Sequence, residues 1–292
     1  MTRYARVTIP VYVTVFFLLA CAGTGWAQQV TGGARLKNPP SNGSTLSLAS
    51  VTTDFTVRPS VITSKVGGGA QLISISIFCV DLFTGNIIPN CNVQVTPKPM
   101  ALTGGHNHDD ASRPPGTFDP ASGNTGPGGF LDTFYTAPEP SGIIQATITG
   151  STQDGIPIFP GVFTIGVRIG GLTSLPPGAN YDLVGTTGIH PDNHYGTATF
   201  NTALVNLANQ YATALPGQRL AYNDMSLVEG GVFDVSANWG PKHFTHRFGV
   251  DGDLRLVAPE NRSLLRQLIR ARGSGIATIV EETAPPHWHL RQ

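Results

Sequence analysis

With 292 residues the chain is long enough for two ordinary domains. Charged side chains are 12% of it, about half the usual share, while 35 glycines and 23 prolines exceed average usage; many turns and short strands are expected, long solvated helices are not. The formal net charge is zero, which leaves no basic field to draw nucleic acid or an anionic membrane surface.

The N-terminus reads as an export signal over residues 1–27. Arg3 and Arg6 precede an apolar run from Val11 to Ala20 that is too short to span a bilayer comfortably, and Gly25-Trp26-Ala27 offers a cleavage site before Gln28. The competing reading is a lipobox at Leu18-Leu19-Ala20-Cys21, with a lipid anchor on Cys21. Either way the product is periplasmic or extracellular. Two cysteines then remain, Cys79 and Cys91, an even count suited to an oxidising compartment. Cys79 shares a strand face with Ile73, Ile75 and Ile77, and Cys91 shares one with Val93 and Val95. With Thr84-Gly85-Asn86 able to turn the chain between them, a disulfide across adjacent strands is expected; a pair of buried thiols is the alternative.

From Gln29 to Pro40 the polar, Gly/Pro-rich composition predicts a loose leader. Strand-like runs follow at Thr45–Val57, Gln71–Val80, Cys91–Thr96, Phe130–Thr136, Ile143–Thr149 and Gly161–Ile169. In the last, Phe163, Ile165, Val167 and Ile169 alternate with Thr164, Gly166 and Arg168. Short alternating strands split by turn residues, with no helical stretch, predict an all-β sandwich over 28–172 that is similar in general character to bacterial immunoglobulin-like modules. The Gly-rich insertion from Thr103 to Gly129 carries His106, His108, Asp109 and Asp110, which can bind a metal, although its composition favours a solvated polar loop. Gly170 to Gly178 reads as a linker, with the boundary near residue 172.

In the second unit, 173–292, His190 and His194 are separated by Pro191 and Asn193, which speak for a turn near the site and against a ligand pair. A helix is predicted from Thr202 to Ala214, capped by Asn201 and stopped by Pro216-Gly217, with Leu204, Val205, Leu207, Ala208 and Tyr211 on its apolar face. The polar segment Asn223 to Asp234 runs into a short strand and can line a groove. A second helix, Pro259 to Ala271, carries Arg262, Arg266 and Arg270 on a solvated face, and Gly275 to Val280 reads as a strand.

Half of the eight histidines lie from residue 243 onward, beside Asp251 and Asp253. Imidazole and carboxylate without cysteine is a zinc-binding residue set. His246 and Asp253 have Gly249 and Gly252 between them, so the two side chains can meet across a tight bend. On a strand, His287 and His289 point to one face and Trp288 to the other. The helical H-E-x-x-H motif is absent, because Phe244 and Thr245 fill the gap between His243 and His246.

The run His243-x-x-His246-x-x-Gly249-x-Asp251-x-Asp253, followed by His287-x-His289, resembles the penicillin-insensitive murein endopeptidases, relatives of the D-Ala-D-Ala and lysostaphin-type peptidases. The resemblance spans roughly Tyr195 to Arg291. It implies an α+β zinc peptidase-like domain with a small antiparallel sheet, with zinc held by His246, Asp253 and His289. It also implies His287 as catalytic base or transition-state stabiliser and His243 as a further catalytic-site residue. Where the D-Ala-D-Ala peptidases have a glutamate as base this chain has His287, which favours the endopeptidase and lysostaphin-like branch; Glu281 and Glu282 stand upstream of that position. Three protein ligands leave the fourth zinc position to water, and Asp251 or His243 can orient a ligand from behind. The expectation is thus an exported zinc peptidase acting on peptidoglycan stem or cross-link peptides, its immunoglobulin-like module a spacer or a contact with the cell envelope. The competing class is a non-enzymatic surface or adhesion protein whose zinc is structural or has lost catalysis.

Overall fold

Alternating apolar side chains build the first half of the chain into two facing sheets. The computed structural model describes residues 30–36, 55–61, 68–108, 111–240, 244–271, 273–283 and 285–292. The export signal with Cys21, most of the strand expected from Thr45, Asp109, Asp110 and His243 lie outside the described residues. In order, the first half forms β1 (Val30–Leu36), β2 (Phe55–Val57), β3 (Leu72–Asp81), β4 (Ile87–Ile88), β5 (Asn92–Pro99), β6 (Thr117–Asp119), β7 (Ser122–Asn124), β8 (Phe130–Thr136), β9 (Gly142–Ser151) and β10 (Gly161–Val167). One sheet runs β1-β3-β8-β6 with β4 also on β3, and the other runs β2-β10-β9-β5-β7. Pairing is antiparallel except for β2 with β10. Ile75, Ile77 and Tyr135 from the first sheet meet Val93, Val95, Ile144, Ile148 and Ile165 from the second in one buried cluster. The period-2 alternation is the cause, since every second side chain of a strand faces the same layer.

Two expectations need correction. Residues 30–36 are a paired strand and no loose leader, in register with β3 along their whole length. The glycines that read as looseness are packing requirements: a Cβ on Gly32 would come within 2.5 Å of the Ile148 side chain, and one on Gly33 within 2.5 Å of the Phe78 ring. The expected disulfide is also absent. Cys79 and Cys91 are free, fully buried thiols. Cys79 pairs with Gly32 and Ile88 in one sheet, whereas Cys91 leads into β5 of the other, so the two do not sit on adjacent strands. The Cys91 thiol donates instead to the Ile88 carbonyl at 3.6 Å, and burial pushes the Cys79 thiol well above its ordinary pKa.

The second half continues with β11 (Leu172–Ser174), β12 (Tyr181–Leu183), β13 (Tyr195–Thr197), α1 (Ala198–Ala214), β14 (Leu220–Tyr222), β15 (Asp251–Arg255), α2 (Arg262–Arg270), β16 (Thr278–Thr283) and β17 (Pro286–Arg291). A five-stranded sheet runs β12-β14-β15-β17-β16, and β11 pairs with β13. Phe200, Leu204 and Leu207 of α1, Leu265 and Ile269 of α2, and Leu254, Trp288 and Leu290 of the sheet form a second buried cluster. Helix α1 starts earlier than the sequence indicates: Thr197 caps it, accepting the Phe200 N–H at 3.2 Å, while Asn201 is buried in the first turn and donates to the Thr173 carbonyl at 2.9 Å. Over the described residues as a whole strand outweighs helix, and no helix among them is long and apolar enough to cross a membrane.

The halves are joined by polar contacts. The Ile169 N–H donates to the Glu229 carbonyl at 2.9 Å, and the Val232 N–H to the Glu139 carbonyl at 3.1 Å. The Ser141 hydroxyl donates to the Gly230 carbonyl at 2.5 Å. Arg247, 1% exposed, pairs with Glu139 at 2.9 Å.

Candidate metal centres

Neighbouring strands β15 and β17 carry most of the first centre. Their antiparallel register sets Asp253 opposite His289, Asp251 opposite Arg291, and Arg255 opposite His287. Leu254, Trp288 and Leu290 take the alternate face and are fully buried in the apolar cluster beneath, which fixes which way the polar residues point. His246 arrives from a 3-10 turn, His246–Phe248, that ends at Gly249 with φ of 70°. A side chain at Gly249 would be strained by that angle and would also come 2.3 Å from Leu172 Cδ2.

Three side chains converge. Asp253 Oδ1 lies 3.3 Å from His246 Nε2 and 3.0 Å from His289 Nδ1, and all three residues are buried. The second ring nitrogen of His289, Nε2, faces Asp251 Oδ1 at 3.1 Å, and Arg291 Nε donates to the same oxygen at 2.6 Å. Burial opposes ionisation of Asp253, yet hydrogen bonds from His246 and His289 hold its carboxyl well below the usual range. Burial likewise opposes a charge on His289, but Asp251 and Asp253 raise it to about 9. Two buried carboxylates thus demand positive charge between them, which a proton or a metal ion can supply.

His287 stands at the rim, half-buried, with Nε2 3.4 Å from Asp253 Oδ2. Its Nδ1 is 2.7 Å from the Pro285 carbonyl, which can only accept, so Nδ1 carries the hydrogen and Nε2 is the basic nitrogen of the neutral ring. The β16–β17 hairpin brings Glu282 Oε2 to 3.6 Å from this Nε2, closer than its place in the sequence indicates, whereas Glu281 turns to Arg266 at 2.5 Å. The solvated face of α2 therefore has a partner in β16. Asp224 was not singled out by spacing. Burial raises its carboxyl pKa beside His246 and Asp253, Asn193 and Asn223 donate to it at 2.9 and 3.1 Å, and its carbonyl accepts the Asp253 N–H at 2.8 Å.

A second group lies where the sequence favoured a solvated loop. His106 is buried, His108 half-buried, and both meet His190 and Asp234. Asp234 Oδ1 is 3.2 Å from His106 Nδ1, 3.4 Å from His108 Nε2 and 3.1 Å from His190 Nε2. His190 therefore is a member of a histidine cluster, contrary to its reading as a bystander in a turn. His194 Nε2 turns instead to the Val184 carbonyl at 2.9 Å. Only His106 and His108 are visible as a possible metal pair in the local sequence; His190 and Asp234 come from two distant segments. The Phe233 ring separates the two centres, with ring centroids 4.9 Å from His190 and 6.4 Å from His246. Each group can hold a metal ion. Comparison with protein-family models, curated proteins and solved structures finds no match to this chain.

Proposed function

We propose that this chain is an exported zinc peptidase that hydrolyses peptide bonds in peptidoglycan stem or cross-link peptides. In this assignment residues 28–172 form an immunoglobulin-like sandwich, which serves as spacer or envelope contact, and residues 173–292 form the zinc peptidase-like domain. What carries the assignment is the convergence of His246, Asp253 and His289 beside a half-buried imidazole that is not itself a member of the trio. The peptidoglycan substrate comes from the resemblance of the His/Asp spacing and the terminal His-x-His to murein endopeptidases.

The trio fits zinc. Its donor atoms lie 3.0 and 3.3 Å apart, against about 3.3 Å between ligands of a tetrahedral ion with bonds of about 2.0–2.1 Å. Bound there, zinc supplies Lewis acidity toward a scissile carbonyl and acidifies a nearby water. His287 Nε2 accepts the proton of the attacking water and returns it to the leaving amine. Asp251 fixes the ring of His289 by accepting its Nε2–H, and Arg291 in turn fixes Asp251. His246→Ala is expected to lose one metal equivalent and all release of peptides from purified peptidoglycan. His287→Ala is expected to keep the metal and to lose about 10²-fold or more in rate. A fully active His246→Ala chain sinks the assignment, and metal retention without turnover in the wild type favours the non-enzymatic class.

A further inference from the structure

We infer that His106, His108, His190 and Asp234 form a second zinc centre, closed and structural, that clips the 106–108 loop of the first half to two loops of the second. This inference stands independently of the peptidase assignment.

Its geometry suits a tetrahedral ion: the four ligand atoms all lie within 4.8 Å of one another. Three imidazole nitrogens lie 3.1, 3.2 and 3.4 Å from one carboxylate oxygen, and two of those nitrogens, His106 Nδ1 and His108 Nε2, are 3.3 Å from each other. Ligand atoms around a tetrahedral ion with bonds of about 2.0–2.1 Å are separated by about 3.3 Å, so one ion at the centre satisfies all of these separations at once. Hydrogen bonding does not. A ring nitrogen carries either a proton or a lone pair, so two such nitrogens facing each other and the same oxygen cannot all be matched without an added cation.

Surroundings agree with a built centre. The side chains of His106 and Asp234 are fully buried, and those of His190 and His108 are 2% and 5% exposed. Among the described residues, the outer nitrogens of His106 and His108 have no hydrogen-bond partner, so the polar interactions of both rings point inward. The Trp239 N–H donates to Asp234 Oδ2 at 2.5 Å, leaving Oδ1 to the centre, and the indole ring covers His106 and His108 at centroid distances of 4.7 and 4.3 Å. Trp239 holds φ of 56°, a left-handed angle that a bulky residue adopts only when its surroundings impose it.

The four ligands belong to neither apolar cluster. Zinc here does between two halves what a hydrophobic core does within each. With four protein ligands no position remains for substrate, which separates this centre from the three-ligand one.

The test is metal content of the mature chain after chelation and zinc reconstitution. Two equivalents are expected in the wild type, one in His246→Ala, one in His108→Ala and none in the double variant. His246→Ala leaves the second centre intact, and its cobalt-loaded form is expected to show the intense visible absorption of four-coordinate cobalt, lost on adding Asp234→Asn. A wild type with one equivalent that His246→Ala abolishes, or a His246→Ala chain that binds none, overturns the inference. One equivalent kept in His246→Ala and lost in His108→Ala upholds it while removing the peptidase centre.

Discussion

His194 and His190 lie in one short segment and differ entirely in use. The Nε2 atom of His194 faces the carbonyls of Val184 and Tyr222 at 2.9 and 3.3 Å, and burial lowers its pKa below the ordinary 6.5. The unfolded chain therefore takes up the His194 proton first on acidification. Stability present above about pH 6.5 is lost as pH falls toward the folded-state value. His194→Gln keeps an N–H donor for the carbonyls and removes the titration. Between about pH 7.5 and 5.5 its urea midpoint is expected to fall less than that of the wild type, and equal slopes would refute the assignment. The spacings His246 to Asp253 and His287-x-His289 were legible because turn and strand geometry are local, and the resemblance to a zinc peptidase family joined them into one site. His190 and Asp234 were not, because a residue's partners across a fold leave no mark on its neighbours in sequence.

The elements followed their periodicity wherever a single face was buried. Residues 130–136 and the start of β10 match the expected strands, and β17 presents Trp288 to the core with His287 and His289 opposite. Ends were less legible, since capping chemistry is shared by several residue types. Both Thr197 and Asn201 can cap; the Thr197 hydroxyl takes the Phe200 N–H, while Asn201 lies inside the first turn with its Nδ2 donating to the Thr173 carbonyl of β11. Thr197→Ala is expected to cost about 1 kcal/mol in chemical denaturation, while a stability unchanged within error would reassign the cap. Glycine misled in the opposite sense at β1, where Gly32 and Gly33 serve close packing against Ile148 and Phe78 instead of flexibility.

Between the halves, Arg247 is buried and its ion pair with Glu139 crosses from one to the other. Glu139→Ala strands a guanidinium that cannot regain water, an expected loss of about 3–5 kcal/mol in the unfolding free energy. The double variant Glu139→Ala/Arg247→Met is expected to recover most of it, and additive losses would mean the pair contributes nothing. The sequence by itself determined the β-rich character, the two core-forming patterns and the spacings His246 to Asp253 and His287-x-His289, because alternation, turn chemistry and close spacing act over a few residues. Only the tertiary structure decided that Cys79 in β3 and Cys91 just before β5 remain free thiols, that 30–36 is a strand, and that His106, His108, His190 and Asp234 meet. Each of those depends on which segments pack together, and that is settled by burial summed over the whole chain.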